Sequence, residues 1–421
     1  MFAMRDVQNG NGRFADIAPV DFGFGGLLWG SAGITVAWES YQQFCDVGLL
    51  EEHYGAMKKH MDFLDTRIDK NTGLMTEGFL GDWLSPEGNK NDNSLLFAAY
   101  YIFDLEIMAR TADVLGRKDD AAEFWKKHEE RMAHFNQTYI DPETYKTVRS
   151  SYRPPFGPGA GGSASSEDSG KVKFMDTQVS YAVPLALGAF NEANASFAAR
   201  NLAQAVERQS VDDGGATHPA YSLMTGFIGT AWISKALSDH GYSEVAYRLL
   251  QQETYPSWLY PVSQGATTIW ERLNSYTYEN GFGGNNSMNS FNHYSFGAVG
   301  QWMMAYSLGI QRDEPGFRKF ILQPEPDPTG QMTWAEGHYD SMYGRINSFW
   351  KVDNGKLTYA ATVPANTTAT LYIPASSQNA VTGGGEPVAR AKGVTFVKYA
   401  GGKAVYELES GRYEFETQLW N

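Results

Sequence analysis

Cysteine is almost absent from this sequence, since Cys45 is the only one in 421 residues. Disulfide frameworks need paired cysteines, and thiolate zinc or iron–sulfur sites need several, so both classes are excluded. Histidine-based zinc motifs are missing too, because Met132 stands where a second histidine would follow His128 and Glu129. We therefore expect no metal and no cofactor, and we predict that Cys45 is a small buried side chain.

Excess positive charge and long hydrophobic runs are also lacking. The chain has 34 Lys and Arg against 48 Asp and Glu, a net charge of −14. Polyanions bind basic surfaces, so nucleic acid is not an expected partner. No apolar run reaches the ~18–20 residues of a membrane span, so a membrane is not expected either. Localisation stays open between secreted, periplasmic and cytoplasmic.

Aromatic residues, in contrast, are abundant. They make up 14% of the chain, with 11 Trp, 24 Tyr and 24 Phe, beside only 19% charged residues. Sugars present flat C–H faces edged by hydroxyls, and these match aromatic rings combined with Asp, Asn and His side chains. Large helical cores also bury many aromatic rings, so composition alone favours neither explanation.

Hydrophobic residues recur at helical spacing from Ser31 to about Tyr306. In α-helical numbering Leu95, Ala99, Ile102, Leu105, Ala109, Ala112 and Leu115 form one stripe. The spacing predicts helices at 31–46, 50–67, 93–115, 118–136, 176–187, 192–210, 221–239, 243–253 and 289–307. They follow one another in pairs, joined alternately by short turns and by long loops. This pattern predicts a toroid of helical hairpins with the long loops on one rim.

The periodicity changes after Tyr306. Short β-rich runs such as "GRINSFWKV", "KLTYAATV" and "ATLYI" are separated by Gly, Pro and Asn turns, which is typical of an antiparallel β-sandwich. We therefore predict an α-helical domain over residues 1–310 and a β-sandwich domain over residues 311–421. The Gly, Ser and Pro-rich segment 149–171 is predicted to be a mobile excursion from the helical domain.

Three predicted loops concentrate the residues of a sugar site. Trp29 lies in "FGGLLWGSAG", Asp82 and Trp83 lie in "TEGFLGDWLSPEG", and Trp270, Glu271 and His293 lie in the long loop before the last helix. A carboxylate beside a tryptophan, opposite a histidine, suits general acid–base catalysis at a glycosidic bond. Taken singly, each is more often structural: a packed indole, a solvated or paired carboxylate, or a core histidine. Their shared position on one predicted rim favours a role in a sugar site.

Four segments carry a more specific resemblance. "GATTIWERLNSY", "MNSFNHYSFGAVGQWMMAYSLGI", "GDWLSPEG" and "TGFIGTAW" resemble bacterial α-L-rhamnosidases of glycoside hydrolase family 78, over nearly the whole chain. The resemblance implies an (α/α)6 catalytic toroid followed by a C-terminal β-sandwich. It also implies inverting hydrolysis of terminal α-L-rhamnose from glycans or glycosides, without a cofactor.

Site residues follow from the same resemblance. Glu271 in "TTIWER" matches the general base, Trp29 and Trp83 match walls of the rhamnose subsite, and His293 matches a hydroxyl ligand. Asp82 and Trp270 lie beside them and are included as substrate-binding residues. Many members have Asp where this chain has Ser31.

The general acid is the larger departure from the family pattern. Nothing in the chain matches the "RDER"-type motif that carries this acid, and about nine predicted helices fall short of the twelve of an (α/α)6 toroid. We therefore expect the chain to be the C-terminal part of a longer enzyme, inactive or nearly so by itself.

Two other functions stay open. Toroids of this type also host polysaccharide lyases and other glycosidases. A lyase acting on an acidic polysaccharide would favour a basic cleft, which a net charge of −14 does not suggest. The third possibility is a non-catalytic carbohydrate-binding protein, and the missing acid motif is compatible with it.

Overall fold

A computed structural model describes residues 1–20, 23, 25–78, 80–153, 174–283, 288–388 and 391–419. The predicted excursion 149–171 lies outside these residues from position 154 onward. The chain forms two compact units. One comprises Met1–Trp38 and Val47–Ala298, and the other comprises Glu39–Asp46 and Val299–Asn421.

The first unit is helical. Its helices are α1 (Phe2–Asp6), α2 (Leu27–Gly30), α3 (Ala32–Phe44, whose last turns belong to the second unit), α4 (Val47–Asp65), α5 (Asn93–Val114), α6 (Lys118–Tyr139), α7 (Gln178–Ala186), α8 (Glu192–Glu207), α9 (Phe227–Thr230), α10 (Ile233–Asp239), α11 (Ser243–Leu250) and α12 (Leu259–Ser263). Strands β1 (Ser210–Val211) and β2 (Thr217–His218) form a small hairpin after α8. In the part of the chain described, no helix is long and apolar enough to cross a membrane.

Polar side chains fix where several helices begin. The Asp92 carboxylate accepts the Ser94 N–H at the start of α5, and Asn191 accepts the Asn194 N–H at the start of α8. Such caps satisfy N–H groups that have no partner within the helix. Gly116, with a φ of 69°, makes the turn between α5 and α6. These local signals explain why the predicted helix starts are close to the observed ones.

Helix α5 is buried on more faces than one stripe would require. The predicted stripe residues Leu95, Ala99 and Leu105 are buried, but Phe97 and Tyr101 are buried as well. Helix α5 packs against α2, α4, α6 and α7, so neighbours cover most of its circumference. It is an inner helix of the unit, and its sequence is accordingly apolar nearly all round.

Two predicted helices are wrong in extent. The helix predicted over 221–239 begins only at Phe227 and is interrupted between α9 and α10. The helix predicted over 289–307 begins at Ser295 with a 3-10 turn, because the preceding residues pair with the segment around Glu271 instead. Tertiary pairing of this loop overrides the helical spacing of its apolar residues.

The second unit is a β-sandwich that follows α13 (Val299–Trp302) and a π-helical turn (Met303–Ser307). Its strands are β3 (Ile310–Arg312), β4 (Lys319–Leu322), β5 (Trp334–Ser341), β6 (Gly344–Asp353), β7 (Lys356–Val363), β8 (Thr368–Pro374), β9 (Thr382–Gly383), β10 (Glu386–Pro387), β11 (Val394–Ala400), β12 (Lys403–Leu408) and β13 (Gly411–Gln418). One sheet has the order β10-β9-β13-β7-β6-β5 and the other β11-β12-β8-β4-β3. All pairs are antiparallel except β4 with β8, which is parallel.

Alternating burial along the strands builds the sandwich core. Trp350 on β6, Tyr359 on β7 and Phe320 on β4 are fully buried in one hydrophobic cluster. The rings of Tyr406 on β12 and Phe415 on β13 stack across the two sheets at 6.4 Å. The fold order predicted from the sequence, helices followed by a sandwich, is therefore present.

The prediction that Cys45 is buried is wrong. Cys45 directly follows the last residue of α3, adopts a φ of 57°, and its thiol is exposed. Its N–H still donates to the Tyr41 carbonyl at 2.7 Å, so the chain leaves the helix in a left-handed turn. The side chain is directed to the surface by this turn.

Candidate active site

Two of the predicted loops meet through a pair of glycines. Gly26 and Gly78 form an antiparallel bridge, and a Cβ on Gly26 would lie 2.2 Å from the Gly78 Cα. Leu27 N–H donates to the Glu77 carbonyl at 3.3 Å beside this bridge. The half-buried indole of Trp29 packs against Gly25, where an added Cβ would meet the ring at 2.8 Å. The loop of Trp29 is thus joined to the loop that leads to Asp82 and Trp83.

Asp82 fixes that second loop against the start of α9. Its carboxylate accepts the N–H groups of Gly226, Ile228 and Gly229 at 2.7 to 2.8 Å. Burial raises the pKa of Asp82 to about 6, and the three N–H donors oppose that rise. The Phe227 N–H donates in turn to the Trp83 carbonyl at 2.9 Å. Both oxygens of Asp82 are therefore occupied, and contact between Asp82 and a sugar stays a prediction.

Phe227 connects this loop to His293. The two rings stack at 4.7 Å, and the ring of Tyr294 also stacks with the imidazole, at 6.0 Å. Phe227 also contacts Phe296 edge-on at 5.4 Å. The sequence-based site did not include Phe227, although the quoted "TGFIGTAW" segment contains it. Its backbone and its ring join the Trp83 loop to the histidine.

Glu271 lies on a segment that pairs with the stretch before His293. Glu271 N–H donates to the Ser290 carbonyl at 2.8 Å, and Glu271 Oε2 accepts the Ser290 N–H at 2.9 Å. Two residues away on each segment, His293 N–H donates to the Ile269 carbonyl at 2.9 Å. Among the residues described, Glu271 Oε1 has no hydrogen-bond partner. Oε2 of this half-buried carboxylate is therefore anchored, and a catalytic role for Oε1 stays a prediction.

Trp270 is buried rather than presented to solvent. Only 6% of it is exposed, and its ring contacts Phe291 at 5.2 Å and Tyr276 at 6.5 Å, both edge-on. Its indole stabilises the loop on which Glu271 lies. Its predicted contact with substrate stays a prediction.

Ser31, where many members of the resembled family have Asp, bonds to a second buried acid. Its hydroxyl donates to Asp104 Oδ1 at 2.6 Å, and burial raises the pKa of Asp104 well above its ordinary value. Asp104 Oδ2 has no partner among the residues described. A second carboxylate at position 31 would place two acids together inside the protein, whereas the serine hydroxyl donates a hydrogen bond to one oxygen of Asp104.

The other acidic residues of the second loop are tied into the structure. Glu77 is paired with Arg13 at 2.8 Å and with Arg67 at 2.9 Å. Glu87 accepts the Gln178 N–H at the start of α7, and burial raises its pKa to about 7. No group of three potential metal ligands occurs among the described residues. Neither glutamate is placed as an exposed acid.

Contacts therefore join the three predicted loops in series, from Trp29 through Trp83 and Phe227 to His293 and Glu271. That one sugar ring fits between the Glu271 carboxylate and the indoles of Trp29 and Trp83 stays a prediction. The arrangement defines a helical-hairpin domain that presents a loop-borne carboxylate, aromatic rings and a histidine, followed by a β-sandwich. That is the architecture of a family of glycosidases.

Comparison with known proteins identifies the family. Residues 1–306 match the bacterial α-L-rhamnosidase six-hairpin glycosidase domain, and residues 309–386 match the bacterial α-L-rhamnosidase C-terminal domain. The chain belongs to the bacterial α-L-rhamnosidase family. This confirms the predicted family and the predicted order of helical toroid and sandwich.

Individual relatives agree with this assignment. The α-L-rhamnosidase of Streptomyces avermitilis is 32% identical over 98% of this chain, and that of Formosa agariphila is 32% identical over 99%. The crystal structure of the Streptomyces avermitilis enzyme complexed with L-rhamnose superposes with a TM-score of 0.81, at 31% identity, over 99% of this chain and 36% of that one. The chain spans 35% and 42% of the length of the two relatives.

Proposed function

We propose that this chain supplies the rhamnose-binding and water-activating part of an inverting α-L-rhamnosidase. The observation that carries the proposal is the hydrogen bonding of the Glu271 carboxylate. Its Oε2 accepts the Ser290 N–H, and its Oε1 has no partner among the described residues. The same paired segments hold His293, which is connected through Phe227 to Trp83. The names of the relatives supply the substrate class, a terminal α-L-rhamnosyl group.

In the proposed reaction Glu271 acts as the general base. Its carboxylate takes a proton from a water molecule as the water oxygen attacks the anomeric carbon, and the bond to the leaving oxygen breaks on the opposite face. Attack from that side inverts the configuration, so β-L-rhamnose is the first product. The indoles of Trp29 and Trp83 would stack on the sugar, and His293 would bind a hydroxyl.

The acid that protonates the leaving group is assigned to no described residue. Both oxygens of Glu77 are engaged in ion pairs, Oε1 with Arg13 and Oε2 with Arg67. Glu87 is buried and engaged at the start of α7. Neither carboxyl is therefore proposed as the proton donor.

We also propose that residues 1–310 form the catalytic domain and residues 311–421 the C-terminal sandwich domain. The change from helices to strands at Ile310–Arg312 supports a boundary close to this position. The two family matches, to residues 1–306 and 309–386, support it as well.

Replacing Glu271 with Gln tests the function. Since glutamine keeps the acceptor oxygen but cannot take a proton, L-rhamnose binding should persist, measured by tryptophan fluorescence on this chain. Turnover of an aryl α-L-rhamnoside by the complete gene product should fall by roughly 10²–10⁴. NMR of the early product of the unmodified protein should show the β-anomer.

The matched control is Glu279→Gln, an exposed glutamate on the same loop. It should leave both binding and turnover unchanged. Equal turnover by Glu271→Gln and Glu279→Gln would remove Glu271 from the mechanism. Rhamnose binding without any turnover would identify a non-catalytic carbohydrate-binding protein, and absorbance gained near 235 nm on an acidic polysaccharide would identify a lyase.

A further inference from the structure

Directly after Glu271 the chain forms a tight turn over residues 272–275. Ser275 closes this turn twice, because its N–H donates to the Arg272 carbonyl at 3.0 Å and its Oγ accepts the Arg272 N–H at 3.2 Å. Ser275 is fully buried, so water does not compete for these two hydrogen bonds. The residue that follows Glu271 is therefore held in place by its own loop.

Asn289 fastens this turn to the second segment of the candidate site. Its Oδ1 accepts a hydrogen bond from Arg272 Nη2 at 3.0 Å, and its Nδ2 donates to the Ser275 carbonyl at 3.2 Å. A guanidinium can only donate and a carbonyl can only accept, so the two contacts require a side chain with both an acceptor and a donor. Asparagine supplies both, whereas aspartate supplies only acceptors and alanine supplies neither.

The residue after Asn289 holds the carboxylate of the proposed base. The Ser290 N–H donates to Glu271 Oε2 at 2.9 Å, and the Ser290 carbonyl accepts the Glu271 N–H at 2.8 Å. Ser290 itself is exposed, so burial contributes little to fixing its backbone. Loss of the Asn289 contacts would therefore release the N–H group that anchors Oε2.

A shift of this anchor should affect the reaction more than sugar binding. A general base must lie within hydrogen-bond distance of the water that it activates, and a displacement of about 1 Å can cost about 100-fold in rate. In the proposed function the sugar is bound by Trp29, Trp83 and His293. His293 has a backbone hydrogen bond of its own, to the Ile269 carbonyl, and its ring stacks on Phe227.

We propose that Asn289 is a positioning residue for Glu271, because its amide joins the turn after the base to the segment whose Ser290 N–H anchors the base. The inference rests on the proposed function, in which Glu271 is the general base. Asn289 acts through Glu271 and takes no part in the proton transfer. The amide at position 289 is thus required for fast turnover and not for rhamnose binding.

Asn289→Ala in the complete gene product tests this role by steady-state kinetics on an aryl α-L-rhamnoside. Its kcat should fall roughly 10- to 100-fold, since the base is displaced from the attacking water. KM, and L-rhamnose affinity measured by tryptophan fluorescence on this chain, should stay within about twofold. Asn289→Asp keeps the acceptor for Arg272 but lacks the donor for the Ser275 carbonyl, so it should lower kcat as well. Asn274→Ala, at an exposed asparagine of the same turn, is the matched control and should change none of these values.

A double-variant cycle distinguishes positioning from a general loss of structure. With Glu271→Gln present there is no base to position, so adding Asn289→Ala should change the residual kcat by less than about twofold. A merely structural role would lower kcat by the same factor with and without Glu271→Gln, and that result would overturn the inference. Melting curves verify that each variant is folded. If the alanine variant does not fold, the near-isosteric aspartate variant takes its place in the cycle.

Failure of the inference and failure of the proposed function give different results. If Glu271→Gln lowers turnover while both Asn289 variants keep the full kcat, the positioning role is wrong and the proposed function stands. A loss at Asn289 that appears in KM and not in kcat would assign the residue to substrate binding and would also reject the positioning role. If Glu271→Gln keeps full turnover, Glu271 is not the base, and the inference falls with the proposed function.

Discussion

At the scale of single residues, Asp82 was predicted to bind substrate, and in the structure its carboxylate binds backbone N–H groups. Its carboxylate receives three backbone N–H groups from the start of α9, and it is 6% exposed. A carboxylate has enough acceptor positions for all three donors, whereas an amide has one oxygen and turns an NH2 group towards N–H. The residue therefore holds Trp83 and Phe227 in register.

Asp82→Asn should lower the free energy of unfolding by about 1–3 kcal/mol, because at least one buried N–H loses its acceptor. Urea unfolding at pH 7.5 measures the change. Asp62→Asn, at an exposed position on α4, is the control and should fall within about 0.5 kcal/mol of the unmodified protein. Equal stability of the two variants would mean that the three hydrogen bonds contribute nothing net.

His60 makes stability depend on pH. Its Nδ1 accepts the Phe14 N–H at 3.2 Å, its Nε2 has no partner among the described atoms, and burial lowers the pKa of His60 from 6.5 to about 4. Above pH 6.5 both the folded and the unfolded chain hold a neutral imidazole. Below it the unfolded chain binds a proton that the folded chain refuses until about pH 4, so the protein loses stability over that interval.

The contribution of His60 to this loss should total about 3 kcal/mol between pH 6.5 and pH 4. His60→Gln keeps an acceptor for the Phe14 N–H but does not titrate, so its unfolding free energy should fall less steeply over the same interval. Urea unfolding at half-unit pH steps measures both slopes. Substituting the exposed His240 by Gln should leave the slope unchanged, and parallel slopes for His60→Gln and the unmodified protein would contradict the assignment.

At the scale of elements, two loops of the candidate site are joined to each other through their backbones. Gly26 adopts a φ of 86°, and a Cβ at this position would overlap the Gly78 Cα. The backbones of the Trp29 loop and the Asp82 loop are therefore in direct contact. Only glycine allows both the dihedral and the approach. The geometry of the candidate site thus depends on positions that carry no functional group.

Gly26→Ala should destabilise the protein by about 1–3 kcal/mol, since the added Cβ overlaps the Gly78 backbone and the two loops must separate. L-rhamnose affinity should weaken with it, because Trp29 moves relative to Trp83. Gly116→Ala separates the two causes, since Gly116 also has a positive φ of 69° but has open space around its Cβ position. A loss no larger than that of Gly116→Ala would assign the effect to the dihedral alone.

At the scale of the whole molecule, apolar residues at helical spacing form the core of the first unit, and apolar residues that alternate along strands form the core of the sandwich. In the sandwich, Trp350 is fully buried and its indole N–H donates to the Ser307 carbonyl at 2.8 Å. Trp334, on the neighbouring strand β5, is 58% exposed. The pair offers the same residue type in opposite environments of one sheet.

Trp350→Ala should lower the free energy of unfolding by about 3–5 kcal/mol, through lost burial, a cavity and the loss of the hydrogen bond to the Ser307 carbonyl. Trp334→Ala should change it by less than about 1 kcal/mol. Denaturant unfolding of both variants measures the difference. Similar losses for the two would show that burial in the sandwich core does not govern stability there.

The sequence by itself determined the order of the two folds, most strands of the sandwich, most helices and the family. These depend on spacing along the chain, on caps such as Asp92, and on motifs that lie within a few residues of one another. The same local signals failed at two places. At Cys45 a left-handed turn leaves the predicted buried side chain exposed. Over residues 289–294, pairing with the Glu271 segment replaces the predicted helix.

Only the tertiary structure decided what each candidate side chain touches. It gave Asp82 three backbone donors from residues more than 140 positions away and inserted Phe227 between Trp83 and His293. It also anchored Glu271 Oε2 on the Ser290 N–H and gave Oε1 no partner among the described residues. Such contacts join segments that are remote in the chain, and their energies depend on burial and on the exact approach of atoms. Periodicity and composition carry neither quantity, because they describe neighbours in sequence and not neighbours in space.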